Sequence, residues 1–250
     1  MKKILLAATA ISSLAMAAQA ENINICVEGA YPPFSWTEAS GEVAGFDIDI
    51  ANALAAEMGM EATMVKTDWD GIIPALLEGK CDAIIASMSI TEERKQVIDF
   101  SAKYYNTPAR FIGHEGMSEA DLDGKVVGVQ RGTIHQDFME GEFPNVELRL
   151  YGSQDEVYLD LQAGRIDAAM GDSIAMDDGF LSTDAGADFA FFGEMYSVPQ
   201  YHGEGAGVGV RQEDTELRDK FSAAIQAIRA SGEYAAINDK YFDIDIYGGE

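Results

Sequence analysis

The sequence predicts an α/β protein of two lobes, each a mostly parallel sheet flanked by helices, joined by two chain crossings that form a hinge. Three observations carry that prediction. Short apolar runs of strand length alternate with segments of helical periodicity through roughly the first hundred residues. The alternation breaks near Tyr104–Phe111 and restarts at LDGKVVGVQRGT, residues 122–133. A short internal repeat, GKCDAIIAS at 79–87 and GRIDAAMGD at 164–172, puts a matching strand in each half and places Ser87 and Asp172 at equivalent strand ends.

The elements follow in order. Residues 1–20 carry two lysines, an apolar centre and a small-x-small end at Ala18–Ala20, the pattern of a secretory signal peptide removed after export. No cysteine follows the cleavage point to take a lipid, and no later run is long and apolar enough to span a bilayer. Ile23–Val27 reads as the first strand, and EGAYPPF as a loop stiffened by its prolines. FDIDIANALAAEMG is a helix ending at Gly59. Ala62–Val65 is a strand, Trp69–Glu78 a helix and Ala83–Ala86 a buried strand. In the second half, strands at Val126–Val129, Val146–Leu150 and Ile166–Met170 alternate with helices from Ile134 and over Glu156–Ala163. A glycine-rich crossing at 203–210 leads to a helix over Thr215–Ala230 and an aromatic tail suited to packing on the first half. The expected lobes are 21–107 plus 205–250, and 108–204.

The chain carries 43 acidic residues; with Lys2 and Lys3 of the leader set aside, 15 basic residues remain and the net charge is −28. Such a surface repels nucleic acid and anionic membranes. It suits a soluble protein or one that attracts a cation. Cys26 and Cys81 fit no metal spacing; Cys26 lies inside one apolar strand and Cys81 at the entry to another, so two buried free thiols are expected. No GxSxG, HExxH or phosphate-loop pattern is present, which lowers the expectation of an enzyme, and no cofactor or metal is expected.

The stretch richest in chemistry is DAIIASMSITEER, residues 82–94. It reads as a buried strand entering the first turn of a helix, with Thr91 as N-cap and Glu92 and Glu93 suited to the helix dipole. Arg94 does not suit that position unless an anion is held there, and an Arg fork beside the Ser87 and Ser89 hydroxyls suits a carboxylate. The alternative is an ion pair with Glu92, Glu93 or Asp99. If the strand ends of both halves face one cleft, it holds Glu28, Tyr31, Trp69, Ser87, Ser89 and Arg94 against Thr133, His135 and Asp172. A fixed cation facing a fixed anion matches a zwitterion, and Tyr31 and Trp69 offer flat faces for its side chain. Asp172 is open to a second role as a helix N-cap; His114 and His202 are expected at the surface.

These residues resemble a family. The signal peptide, EGAYPPF, GFDIDI, WDGIIPAL, DAIIASMSITEER, GVQRGT, AGRIDAAMGD, GAGVGVR and KYF together are similar to the periplasmic amino-acid-binding proteins of ABC importers, in the lysine/arginine/ornithine, histidine and opine branch. The resemblance spans essentially the whole mature chain. It implies a type II periplasmic-binding fold that closes on an amino acid and meets a membrane permease, as a monomer. By the resemblance, Arg94 and Ser89 take the α-carboxylate, Asp172 and Ser87 the α-ammonium, Tyr31 and Trp69 the side chain, and Glu28, an aspartate in the basic amino-acid binders, the distal cation. Three positions depart from the pattern: Ile134 stands where a second hydroxyl residue is common, His135 where Gln is common, and Ala55 and Ala62 where some relatives carry a cysteine pair. The expected ligand is therefore lysine, arginine or ornithine, with histidine, glutamine or an opine as rivals. A cyclohexadienyl dehydratase on the same scaffold is the enzymatic rival, and a sensor role the other.

Overall fold

The computed structural model describes residues 21–248; the expected leader lies outside the described residues. The chain runs through strands β1 (Glu21–Val27), β2 (Ala30–Tyr31), β3 (Ser35–Thr37) and β4 (Val43–Ala44), then helix α1 (Phe46–Glu57), β5 (Met60–Lys66), α2 (Trp69–Leu77), β6 (Ala83–Ile84) and β7 (Asp99–Tyr105). It continues through β8 (Ala109–His114), β9 (Val126–Gln130), α3 (Ile134–Glu142), β10 (Glu147–Tyr151), α4 (Gln154–Gln162), β11 (Ala168–Asp172), α5 (Ser173–Met176) and β12 (Phe189–Tyr196). The last elements are α6 (Pro199–His202), β13 (Ala206–Val210), α7 (Thr215–Ser231) and α8 (Glu233–Asn238).

Two five-stranded sheets result, in the orders β5-β1-β6-β13-β7 and β10-β9-β11-β8-β12. In each, three neighbouring strands are parallel and the returning strands are antiparallel. The repeated strands β6 and β11 both lie at the centre of their sheets, so Ser87 and Asp172 leave equivalent positions. The chain changes sheet twice, between β7 and β8 and between β12 and β13. This is the two-lobe architecture that the alternation predicts, with parallel strands delivering their C-terminal ends to one cleft.

The first lobe buries an aromatic core in which Phe34 stacks on Tyr105 at 4.6 Å, and Tyr234, Phe242 and Ile246 of the tail join it. Helix α1 starts at Gly45, whose φ of 130° and close approach to the Phe34 carbonyl exclude any side chain. The Asp47 amide then donates to that carbonyl at 2.8 Å, which fixes the buried Asp47 at the entry of α1. Within EGAYPPF only Ala30–Tyr31 are strand, pairing in a small three-stranded sheet, β2-β3-β4, with strands that follow it, and residues 32–34 form a turn.

Two local expectations are corrected. Cys26 and Cys81 are not free thiols; they form a disulfide with Cα atoms 5.7 Å apart. The reason is register: β1 and β6 are parallel neighbours, and Asp82 N–H donates to Asn24 O at 2.7 Å, which draws residue 81 alongside β1. Position within a strand says nothing about which strands adjoin. The strand near Ala83 has only two residues, and the stretch after it makes one 3₁₀ turn, Arg94–Gln96, rather than an α-helix. Glu93, not Thr91, holds its N-cap position, with no side-chain capping bond; Thr91 Oγ1 does accept from Arg94 N–H at 3.2 Å, but β7 begins at Asp99 and leaves no room for more turns.

Candidate ligand cleft

All ten residues singled out in the sequence, Glu28, Tyr31, Trp69, Ser87, Ser89, Arg94, Thr133, Ile134, His135 and Asp172, line one cleft of about 390 Å³ between the lobes. Ala86, Gln130 and Gln154 line it as well and were missed. Gln130 is the last residue of β9 and Gln154 the first of α4, positions where a buried glutamine looks like an ordinary surface residue in sequence.

On the first-lobe wall, Ser87 has a φ of 57°, a left-handed conformation rare for a residue with a side chain. Three hydrogen bonds hold it there. Its N–H donates to the Tyr104 hydroxyl at 3.0 Å, its own hydroxyl donates to Asp47 Oδ2 at 2.9 Å, and Tyr104 in turn donates to Asp47 Oδ1 at 2.9 Å. Burial pushes Asp47 up to about 7 against the pull of those hydroxyls. Arg94 pairs with none of Glu92, Glu93 and Asp99. Its guanidinium donates to Ser89 O at 3.0 Å and, across the cleft, to Gly132 O at 3.2 Å, with Trp69 stacked against it at 5.4 Å. Burial lowers it to about 10, which still leaves a full positive charge at neutral pH.

On the second-lobe wall, Asp172 occupies the N-cap position of α5 but makes no side-chain capping bond. Its carboxylate instead accepts from Tyr31 Oη at 2.7 Å. Burial raises Asp172, and the Tyr31 and Thr107 hydroxyls oppose that rise. Thr133 occupies the N-cap position of α3 without a side-chain capping bond and donates to Gln130 O at 2.7 Å, so its hydroxyl proton is committed to the loop. His135 lies with Nε2 3.8 Å from Asp172 Oδ1, while its buried Nδ1 has no partner. Burial, reinforced by Arg94, depresses it to about 3, so the ring is neutral. His202 is not at the surface as expected: α6 folds it inward, 6.3 Å from His135 between ring centres, and burial depresses it to about 4. His114 is exposed.

At the far end Glu28 is buried, and among the described residues no cation pairs with it. Gln130 Nε2 donates to its Oε1 at 2.6 Å, yet burial dominates and pushes Glu28 up to about 7, with Asp155, Asp68 and Asp70 adding repulsion. Five contacts therefore cross the cleft: Glu28 with Gln130, Tyr31 with Asp172, Trp69 Nε1 with Gly132 O at 3.2 Å, Arg94 with Gly132 O, and an Arg131–Asp70 ion pair. The lobes are closed on each other.

Residues 23–244 match the model of the bacterial extracellular solute-binding proteins, family 3. The chain belongs to that family. An L-arginine-binding protein of Pseudomonas aeruginosa is 49% identical, with 99% of each chain covered. The lysine/arginine/ornithine-binding periplasmic protein of Escherichia coli is 40% identical, with 99% of this chain and 100% of that one covered. Among solved structures, a periplasmic binding protein of Salmonella typhimurium described as highly arginine-specific superposes with a TM-score of 0.84 at 33% identity, covering 89% of this chain and 100% of its own. Named relatives are binding proteins, and in this family a binding protein delivers its substrate to an ABC transporter. No helix among the described residues is long and apolar enough to cross a membrane.

Proposed function

We propose that this chain is the periplasmic substrate-binding component of an ABC importer for cationic L-amino acids, exported by cleavage of residues 1–20 and acting as a monomer. The observation that carries the reading is the charge order along the closed cleft: Arg94 and Asp172 on opposite walls, and Glu28 without a cation at the far end. That is the negative image of an amino acid with a positive side chain. Arg94 and Ser89 take the α-carboxylate, Asp172 and Ser87 the α-ammonium, Tyr31 and Trp69 flank the alkyl stem, and Glu28 meets the distal cation. Thr133, Ile134 and His135 close the second wall, Thr133 and Ile134 chiefly through backbone and shape. The names of the arginine and lysine/arginine/ornithine relatives support the same ligand class. The bodies 21–107 plus 205–250 and 108–204 hinge about the two crossings, and ligand shifts the population toward closure. The permease reads the closed form. Nucleic acid is no partner at this charge.

The test is a thermal-shift screen of ligand-stripped mature protein against the twenty amino acids, ornithine, citrulline and opines, since a ligand bound only by the folded state raises Tm. A rise confined to arginine, lysine and ornithine is expected. A rise with opines alone replaces the ligand assignment, and turnover of prephenate or arogenate replaces the binding reading by an enzymatic one.

A further inference from the structure

Two serines line the first-lobe wall of the cleft, and their hydrogen-bond protons are spent differently. Ser87 has two to give and both are taken: its N–H donates to Tyr104 Oη at 3.0 Å and its hydroxyl to Asp47 Oδ2 at 2.9 Å. Its Oγ keeps two lone pairs, of which the Tyr105 hydroxyl beside it can take at most one. Ser87 therefore meets the cleft as an acceptor only. Ser89 is the opposite case. Its carbonyl accepts from Arg94, while its N–H and hydroxyl donate to no group among the described residues.

Asp47 makes that difference, and it does so from behind the wall. It is fully buried and does not line the cleft. It lies in the first turn of α1, where the helix N-terminus favours its charge, and both of its oxygens accept hydroxyl protons, from Ser87 and from Tyr104 at 2.9 Å each. An ionised carboxylate has no proton to return. Tyr104, having given its own, can only accept from Ser87 N–H. One buried anion thus sets the direction of three hydrogen bonds, and these same bonds hold Ser87 at its costly left-handed φ of 57°.

Resting on the reading that the cleft holds a cationic α-amino acid, we propose that Asp47 is a positioning residue that selects the ligand's amino group without touching it, by holding Ser87 as an obligate acceptor. An α-ammonium has protons and no lone pair, so it pairs with Asp172 on one wall and Ser87 Oγ on the other. A ligand with only hydrogen at that carbon leaves both acceptors unpaired, and a site built to hydrogen-bond a group rejects the analogue that lacks it. Ser89, with protons to give beside Arg94, suits the carboxylate. Asp47→Asn supplies one acceptor and one donor in place of two acceptors. The buried Tyr104 hydroxyl has no other acceptor and takes the amide oxygen. The amide N–H then turns to Ser87 Oγ, and the Ser87 hydroxyl is freed to aim its proton at the ammonium.

The experiment is titration calorimetry at pH 8, above the titration of Asp47 near 7, of refolded, ligand-free mature protein. The probes are L-arginine and des-amino-arginine, which has the same carboxylate and guanidinium without the α-amino group. The proteins are wild type, Asp47→Asn, Ser87→Gly and the double variant; glycine adopts the φ of Ser87 without strain, so that variant spares the backbone. Wild type is expected to favour arginine at least about a hundredfold. Asp47→Asn and Ser87→Gly should each narrow that ratio about tenfold or more while holding des-amino-arginine within about threefold, and Asp47→Asn should add nothing in the Ser87→Gly background. Retained binding of des-amino-arginine shows that a variant folds. An unchanged ratio in Asp47→Asn or in Ser87→Gly overturns the proposal. So does equal loss of both ligands, which makes Asp47 an anchor of the fold, and so does an equal effect of Asp47→Asn with and without Ser87 Oγ, which makes its charge act through space. Each of these leaves the ligand reading standing. Wild type that does not bind arginine overturns that reading itself.

Discussion

On the first-lobe wall of the cleft, Asp47 accepts from Ser87 and Tyr104, Tyr104 accepts from Ser87 N–H, and Arg94 is tied to Ser89 O, so these groups are partnered within the wall. On the second-lobe side, His135 Nδ1, Gln154 Nε2 and His202 Nε2 are buried with none. The central strands β6 and β11 are equivalents, so topology does not explain the difference. An unpaired buried donor or acceptor costs about 1–3 kcal/mol. The first wall is a preorganised receptor that has met that cost; the second carries groups that gain from a partner. The disulfide falls on the same side as the satisfied wall, tying β1 to the segment before β6.

The largest expected effect tests whether the two walls act as one clamp. Arg94→Ala and Asp172→Ala each leave one ligand charge buried without its counter-ion, a loss of about 3–5 kcal/mol in ligand affinity by calorimetry. Near-wild-type affinity in both variants breaks the clamp. The second test asks whether the first lobe owes its rigidity to the covalent tie. The bridge closes a sequence separation of 55 residues, so Cys26→Ala with Cys81→Ala is expected to lower unfolding free energy by roughly 2–4 kcal/mol in urea titration. An unchanged midpoint assigns the order of that wall to the Asp47 network alone.

The two lobes and the charged groups of the cleft were legible in the sequence, the contrast between the walls was not, and the failures have a common cause. The alternation and the GKCDAIIAS/GRIDAAMGD repeat carried the two lobes, and charge logic brought Arg94, Asp172 and Glu28 to the cleft. What escaped were properties of adjacency. The Cys26–Cys81 pairing depends on β1 lying beside β6, His202 is buried because α6 turns it toward His135, and Gln130 matters because the end of β9 meets Glu28 across the cleft. Asp47, at the start of the first helix, proves to be the anchor of Ser87. None of these has a local signal; each becomes visible once the strand order is known.

The pH response should separate the walls. Glu28 and Asp47 both sit near 7 in the folded protein, above their ordinary 4.5 and 3.8. A carboxyl raised on folding keeps a proton that the unfolded chain releases, so its contribution to stability is fully present below about pH 4 and is lost as pH rises toward and through 7. A cationic ligand needs Glu28 ionised. Affinity for arginine is therefore expected to climb with pH below 7, by at most about tenfold per unit, and to level off above it. Glu28→Gln should flatten that climb and weaken arginine more than a neutral amino acid. Equal weakening of both removes Glu28 from side-chain recognition.

The smallest effect at neutral pH, and the opposite sign in acid, belongs to the second wall. His135 and His202 are held neutral, near 3 and 4 against an ordinary 6.5. A histidine depressed on folding gives stability that is present above pH 6.5 and is lost as pH falls toward the folded value, because the unfolded chain takes up the proton first. Between about pH 4.5 and 6.5 the two walls thus pull in opposite directions, and the wild-type profile is expected to be shallow there. Gln at position 135 keeps a polar group of similar reach but cannot titrate. His135→Gln should change stability at pH 8 by only about 1 kcal/mol, since the ring it removes has an unpaired Nδ1, yet raise stability at pH 5 relative to wild type. Urea midpoints at the two pH values decide it. If the variant and wild type lose stability in parallel as pH falls, the acid response arises elsewhere and the neutral ring of His135 is a packing group only.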